Sequence, residues 1–418
     1  MLTPELIPNK EPMIRVGLIL PEDSIKTIQI SFSDFQCFEI VSEDRHLPSF
    51  KSTASLNVNI VDGKLVIPEI DFCDASLKII PSTSTEYPFI TVDGIPAGRG
   101  FHWEKKISAS YWGILELTIF DGQMMAVNEL PLEQYLKCVA TSEMSAKCPP
   151  EFLKAQTIVA RSWLLANIEQ KHRNLGVDIC NDDCCQRYQG MAHCTDASIK
   201  SADVTSGQVI MFDEKICDAR YSKSCGGITE NFDNVWEGES IPYLVSVVDN
   251  DAKGTAFCSP EIVLEGSLKN YIGNVDEKGQ YFRWEFEATQ GELIQSLKNK
   301  QNVTATEIVQ LIPEIIGYSG RIIVLRIEYK DFQNNLQSIE IHSEYEIRNI
   351  MSPFFLYSSA FSVEKNENGN FNLIGKGWGH GVGLCQIGAL GRALNGQSTD
   401  NILNHYYSVS KLKRIYSS

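Results

Sequence analysis

A chain of 418 residues is too long for one compact core, so two or three domains are expected. A formal net charge of -16 argues against nucleic acid or an anionic membrane as partner. With 43% hydrophobic and 22% charged residues, the composition is that of an ordinary globular protein rather than a disordered or fibrous one. The 15 tyrosines and 6 tryptophans suit a ligand held by hydrogen bonds and aromatic stacking.

No apolar run reaches the length of a membrane span. The opening segment, MLTPELIPNKEPMIRVGLIL, has an early acidic residue and prolines but no apolar stretch ending in a small-residue cleavage site. It is not a signal peptide, which leaves the cytoplasm, or the cell envelope if a leader was removed. Residues 1–12 read as a tail. From 13 to 128 the chain reads as strands: IRVGLIL, KTIQISF, LNVNIV, GKLVIP and ILELTIF are β-branched or aromatic and are broken by Gly, Pro and Asp. Asp62-Gly63 between two alternating runs predicts a hairpin.

The pattern changes near residue 130. LPLEQYLKCVATSEM has apolar residues at helical spacing, and Pro149-Pro150 suits the start of a long helix running through EFLKAQTIVARSWLLANIEQKH. Segments 129–257 and 346–418 are expected to form a mixed catalytic core around a central cleft. Segment 258–345, with a helix in TQGELIQSLKNK and a hairpin of RIIVLRIEYK with LQSIEIH, is expected to be an inserted α/β lobe. A helix is predicted from about 383 to 394, followed by a last one capped by Ser398 or Thr399. The fold class is multi-domain α+β.

Five groups of residues carry chemistry. On a helix Leu132, Leu136, Val139 and Glu143 would share one face, turned toward the core or a cleft. Such surroundings raise a carboxyl pKa, as a general acid requires. A helix-end glutamate paired with a cation would give the same pattern. Lys154 and Arg161, seven residues apart, would lie together to hold substrate carboxylate or hydroxyl groups, or else on a solvated face.

In GKGWGHGVG, strand periodicity would put Gly375, Gly377, Gly379, Gly381 and Gly383 on one bare face, with Lys376, Trp378, His380 and Val382 on the other. That arrangement suits close approach of a ligand or of another strand. Cys225, ahead of Gly226-Gly227, could be a nucleophile with His380 or His193 as base, or a plain buried thiol. Among twelve scattered cysteines, only Cys180, Cys184, Cys185 and Cys194 cluster. With His172, the first three form a set suited to a closed tetrahedral zinc site, free thiols or a local disulfide being the alternatives.

Together these blocks resemble the stage II sporulation protein D family, which also contains amidase-enhancer proteins. The resemblance is carried by LPLEQYLKCVATSEMSAKCPPEFLKAQTIVARSW, DICNDDCCQRYQG, YSKSCGGITENFDNVWEG with IPYLVSV, and GWGHGVGLCQIGALGRAL with ILNHYY, in the family's order over 130–410. It implies cleavage of peptidoglycan glycan strands between N-acetylmuramic acid and N-acetylglucosamine by lytic transglycosylation, without a catalytic cofactor. Glu143 matches the essential glutamate of the SEM-like motif and would serve as acid, then base. Lys154, Arg161, Tyr221 and His380 match positions near the family's cleft and would bind substrate.

The family's zinc-binding members carry a His, a Cys and a His-Cys pair. His172, Cys180, Cys184 and Cys185 match these, with Cys184 replacing the second histidine. Cys225 and Cys385 stand where serine is common. The resemblance leaves two other readings: a non-catalytic glycan-binding activator of a cell-wall amidase, and a cysteine–histidine peptidase.

Overall fold

The computed structural model describes residues 1–33, 38–42, 46–47, 55–81, 88–100, 104–166, 168–272 and 279–417. Among the described residues eight α-helices accompany several sheets, so the class is α+β with a strand-rich N-terminal part. The helices are α1 (Leu132–Val139), α2 (Pro150–Ala166), α3 (Asp196–Val204), α4 (Glu265–Tyr271), α5 (Gln290–Gln301), α6 (Glu344–Met351), α7 (Gln386–Leu394) and α8 (Thr399–Tyr406). Pro150 opens α2, where its missing N–H costs nothing. Ser398 caps α8, its Oγ accepting from the Asn401 N–H at 3.3 Å.

Packing divides the chain into two compact units, at other places than composition suggested. The first comprises Met1–Ala146, Ala160–Val209 and Lys413–Ser418; the second comprises Lys147–Val159 and Ile210–Leu412. Each contains one half of α2, so Lys154 falls in the second unit and Arg161 in the first.

The first unit is built on a seven-stranded and a six-stranded sheet. Alternate side chains point inward, among them Val16, Leu18, Leu77, Ile79, Leu115 and Leu117 from one sheet and Ile28, Ile30, Val58, Leu65 and Val92 from the other. Strand Lys64–Ile67 of the smaller sheet touches strands Ser76–Pro81 and Ile114–Phe120 of the larger, so the sheets pack face to face. The predicted hairpin forms with Val61 opposite Lys64, and Asp62 and Gly63 both take positive φ, the turn that matches strand twist.

Helix α1 follows strand Gln123–Pro131 directly and lies against α3. A fully buried ion pair fixes it. The Arg161 guanidinium donates through Nε and Nη2 to Glu133 at 2.9 and 2.6 Å, and through Nη1 to the Gln208 carbonyl at 3.0 Å. Glu133 also accepts from the Gly207 N–H and the Tyr416 hydroxyl. Arg161, expected to bind substrate, is therefore a structural cation with no exposed surface. Its fork geometry matches the carboxylate, which offsets the cost of burying both charges.

The second unit has its core where α5 and α6 meet two three-stranded sheets. One sheet is the meander Glu307–Ile316, Ile322–Lys330 and Leu336–His342; in the other, Phe371–Lys376 runs between Arg283–Ala288 and Phe361–Lys365. Segment 258–345 is thus no lobe of its own. Strand Arg283–Ala288 needs Phe371–Lys376 as its partner, and Trp284, Leu325, Phe361 and Leu373 share one core.

Replacing Glu133 by Gln leaves Arg161 charged and buried without a counter-charge, and is expected to cost roughly 3–5 kcal/mol of stability. Urea unfolding monitored by circular dichroism measures it. A loss no larger than that of an exposed pair, below about 1 kcal/mol, would contradict a structural role for Arg161.

Candidate functional site

Helix α1 stops before it reaches Glu143. Ser142 turns back on the last helical residue, its N–H and Oγ both bonding the Val139 carbonyl, at 3.0 and 2.9 Å. This local bonding by a serine competes with helix continuation. Thr141 bonds the His193 carbonyl through its hydroxyl, which ties the turn to a neighbouring segment. Glu143 is therefore half-buried in a turn between the buried Ser142 and Met144, not on the apolar face of a helix.

In the same unit His172, Cys180, Cys184 and Cys185 converge, with one ligand atom of each within 4.8 Å of all the others. Cys180 Sγ lies 3.2 Å from Cys184 Sγ, and Cys184 Sγ lies 4.0 Å from His172 Nε2. Hydrogen bonds from the Cys180 and Cys185 thiols hold the Cys184 pKa far below the usual thiol range. Cys180 is anchored because Ile179–Cys180 pairs in parallel with strand Met13–Ile19. The fourth cysteine of the sequence cluster, Cys194, lies outside this group and hydrogen-bonds Cys138 instead.

Tyr135 of α1 connects the cluster to the glutamate. Its hydroxyl donates to Gln186 at 3.0 Å, and Gln186 donates onward to the Ala160 carbonyl, so the loop after the cysteines is held against α1. Burial raises the Tyr135 pKa first, and the charges of Cys185, Cys180 and Glu143 add to it.

In the second unit, segments around 221–227 and 377–388 meet. Tyr221 and Ser222 pair in parallel with Leu384 and Cys385, while Ser224 bridges to Trp378 and Glu230 to Val382. The expected glycine-faced strand ends at Lys376. Beyond it Gly377, Gly379, Gly381 and Gly383 all adopt positive φ, so the backbone loops instead of alternating. The reason is close approach: a Cβ on Gly383 would sit 2.0 Å from the Arg220 carbonyl oxygen, and one on Gly381 would sit 2.3 Å from Arg321 Cζ.

Tyr221 and His380 are brought together here. His380 Nδ1 accepts from the Val382 N–H at 3.1 Å, and the ring also hydrogen-bonds the Tyr221 backbone. Burial, then the charges of Arg220, Arg321 and Arg348, push its pKa well below the usual imidazole range. His380 is a neutral tie between the two segments, braced edge-on by Trp236 at 4.9 Å. Lys154 pairs with Glu151 one turn earlier, and Glu151 also accepts from Thr399, which joins α2 to the start of α8.

Cys225 is fully buried, and burial, reinforced by the Cys258 and Cys385 thiols, pushes its pKa well up. A thiol so placed is not set up as a nucleophile, which removes the basis of the peptidase reading.

Sequence reading missed Arg321, Glu230, Asp249 and Cys258. Arg321 is buried and donates to the Gly379 carbonyl and Ser319 Oγ. Glu230 accepts from the Tyr318 and Ser319 N–H groups and the Ser319 hydroxyl. Both hold chain turns together. Nothing in their local sequence marks them, because Glu230 meets Ser319 at a separation of 89 residues and Arg321 meets Gly379 at 58.

Residues 120–212 match the family described as "Stage II sporulation protein", and residues 230–383 match a domain of unknown function, DUF8618. The chain is 29% identical over 298 residues to an uncharacterised protein of Brachyspira hyodysenteriae, covering 71% of each. It is 27% identical over 295 residues to the amidase enhancer of Bacillus subtilis, a match that spans 65% of this chain but only 39% of that protein. To stage II sporulation protein D of Bacillus subtilis it is 24% identical over 344 residues, covering 79% of this chain and 86% of the relative.

Gly383 and Gly396 have similar φ values, 73° and 78°, but a Cβ at 396 would meet nothing within 4 Å. Alanine at 396 is expected to cost about 1–2 kcal/mol, the left-handed penalty alone. Alanine at 383 adds a clash with the Arg220 carbonyl and is expected to cost on the order of 3 kcal/mol or more. Thermal unfolding of the two variants side by side measures the difference; equal losses would mean that close approach is not what requires Gly383.

Proposed function

We propose that this chain, whose residues 120–212 match the stage II sporulation protein family, cleaves peptidoglycan glycan strands in the cell envelope by lytic transglycosylation. A role in the cell wall follows from the family itself. The observation that supports the finer reading is the position of Glu143: a half-buried carboxyl in the TSEM turn, within the matched segment 120–212.

In the proposed reaction Glu143 protonates the glycosidic oxygen between N-acetylmuramic acid and N-acetylglucosamine. The resulting carboxylate then takes the proton from the muramic hydroxyl that closes the anhydro ring. One group acts twice, so the second carboxylate required by paired-acid hydrolases has no counterpart to find. The turn suits this use better than a core-facing helix would, since a half-buried carboxyl is reachable by a polymer.

The similarity to the amidase enhancer of Bacillus subtilis supports a second reading, a glycan-binding activator of a cell-wall amidase. Under it the same surfaces hold glycan and no bond is broken.

The ligand set at His172, Cys180, Cys184 and Cys185 fits zinc. Three thiolates and an imidazole are the donors that this ion prefers, and four protein ligands leave no open position for water. Zinc there would be structural. It would fix the loop that Gln186 holds against Tyr135 and so steady the turn that presents Glu143.

Two measurements test these readings. Purified glycan strands incubated with the protein alone and analysed by mass spectrometry should yield anhydromuramic ends. Glu143→Gln should abolish them while melting within a few degrees of the parent. Product from the variant would end the case for Glu143, and no product from the parent would favour the activator. For the metal, protein purified without chelator is expected to lose about one zinc per chain when Cys184 and Cys185 are both replaced by Ser. Unchanged metal content in that double variant would refute the site.

A further inference from the structure

The second unit holds another group of ligand atoms that neither the proposed reaction nor the first cluster uses. Cys225, Asp249, Cys258 and Cys385 are all buried, and one ligand atom of each lies within 4.8 Å of every other. In a tetrahedral zinc site with bonds of about 2.3 Å, neighbouring sulfurs stand about 3.8 Å apart. The Cys225–Cys258 Sγ separation is 3.8 Å.

Two of the sulfurs already receive N–H groups. Cys385 Sγ accepts from Cys225 N at 3.1 Å and from Gly388 N at 3.2 Å, and it caps the first turn of the nine-residue α7. Cys225 Sγ accepts from Gly227 N at 3.3 Å. The carboxylate is equally prepared. Asp249 Oδ2 faces the sulfurs, 3.7 Å from Cys225 Sγ, and accepts from the Tyr406 hydroxyl at 2.8 Å. Its Oδ1 is held by Arg392 Nε at 2.9 Å, with His405 Nε2 3.4 Å away. A ligating carboxylate oriented by its own hydrogen bonds is the usual outer shell of a metal centre. Gly388 makes room for it, since a Cβ there would lie 2.0 Å from Oδ2.

We propose that Cys225, Cys258, Cys385 and Asp249 form a second, closed zinc site that staples the two motif segments to the 249–258 loop. On binding, three S–H bonds give way to three Zn–S bonds and three protons leave to solvent. Three thiolates, a carboxylate and the divalent ion sum to two negative charges. Arg392 pairs directly with Asp249, while Arg321 and Arg283 donate to the carbonyls of Cys225 and Gly226, so cations already surround the site. The full ligand complement leaves no water position, and the ion would be structural.

The test is metal content of the full chain grown with zinc and purified without chelator. The parent should hold two zinc ions per chain, Cys258→Ser one, and the Cys184→Ser, Cys185→Ser double variant one. If Cys258→Ser fails to fold, the double variant still decides, because its core is intact and it keeps one ion only if the second site exists. Cobalt loaded into that double variant should then show strong thiolate-to-metal absorption. One ion in the parent and one in the double variant would remove the first site and leave this one standing. A metal-free double variant, undiminished metal in a folded Cys258→Ser, or a Cys225–Cys258 disulfide in the denatured, unreduced parent would overturn the proposal.

Discussion

Between Arg220 and Gly227 on one side and Gly377 and Gly388 on the other, two stretches of backbone lie too close for a side chain to fit between them. That close approach organises the second unit. It sets the parallel pairing of Tyr221–Ser222 with Leu384–Cys385, brings Cys225 to Cys385, and leaves His380 bonded to backbone on both segments. The Gly383 position exists for this reason, while Gly381 makes room for the Arg321 guanidinium.

The chain buries charge in two different ways, each with full compensation. Arg161 meets Glu133 fork to carboxylate, and Tyr416 and Gly207 also donate to the Glu133 Oε1. Arg321 spreads its donors over neutral oxygens of Gly379, Ser319 and Cys225, so it clamps turns together instead of neutralising an acid. In a low-dielectric interior either arrangement is strongly directional, since any displaced donor loses its only partner.

Glu143 combines a tied backbone with a side chain that is only half-buried. Its neighbours Ser142 and Met144 are buried and the turn is tied by Thr141 and Ser142, yet the carboxyl itself stays half-exposed. The loop of His172, Cys180, Cys184 and Cys185 is held against helix α1 by the Tyr135–Gln186 hydrogen bond. The proposed action on a large polymer would need an accessible group on a fixed backbone. A cell-wall role for the family agrees with such a site.

The sequence by itself determined the local elements and the chemistry of the first cluster. The Asp62-Gly63 hairpin, the α2 start at Pro150, the Ser398 cap and the convergence of His172 with three cysteines all depend on contacts between near neighbours, which residue type and spacing encode directly. The tertiary structure alone decided the rest. Whether 258–345 stood apart depended on Arg283–Ala288 finding Phe371–Lys376 across about ninety residues. Whether Arg161 faced solvent depended on Glu133, 28 residues away. The second cysteine group draws Cys225, Asp249, Cys258 and Cys385 from a span of 160 residues, and no period or motif records that meeting. A partner's burial and direction belong to the packed fold, because desolvation and hydrogen-bond geometry exist only once distant segments have been brought together.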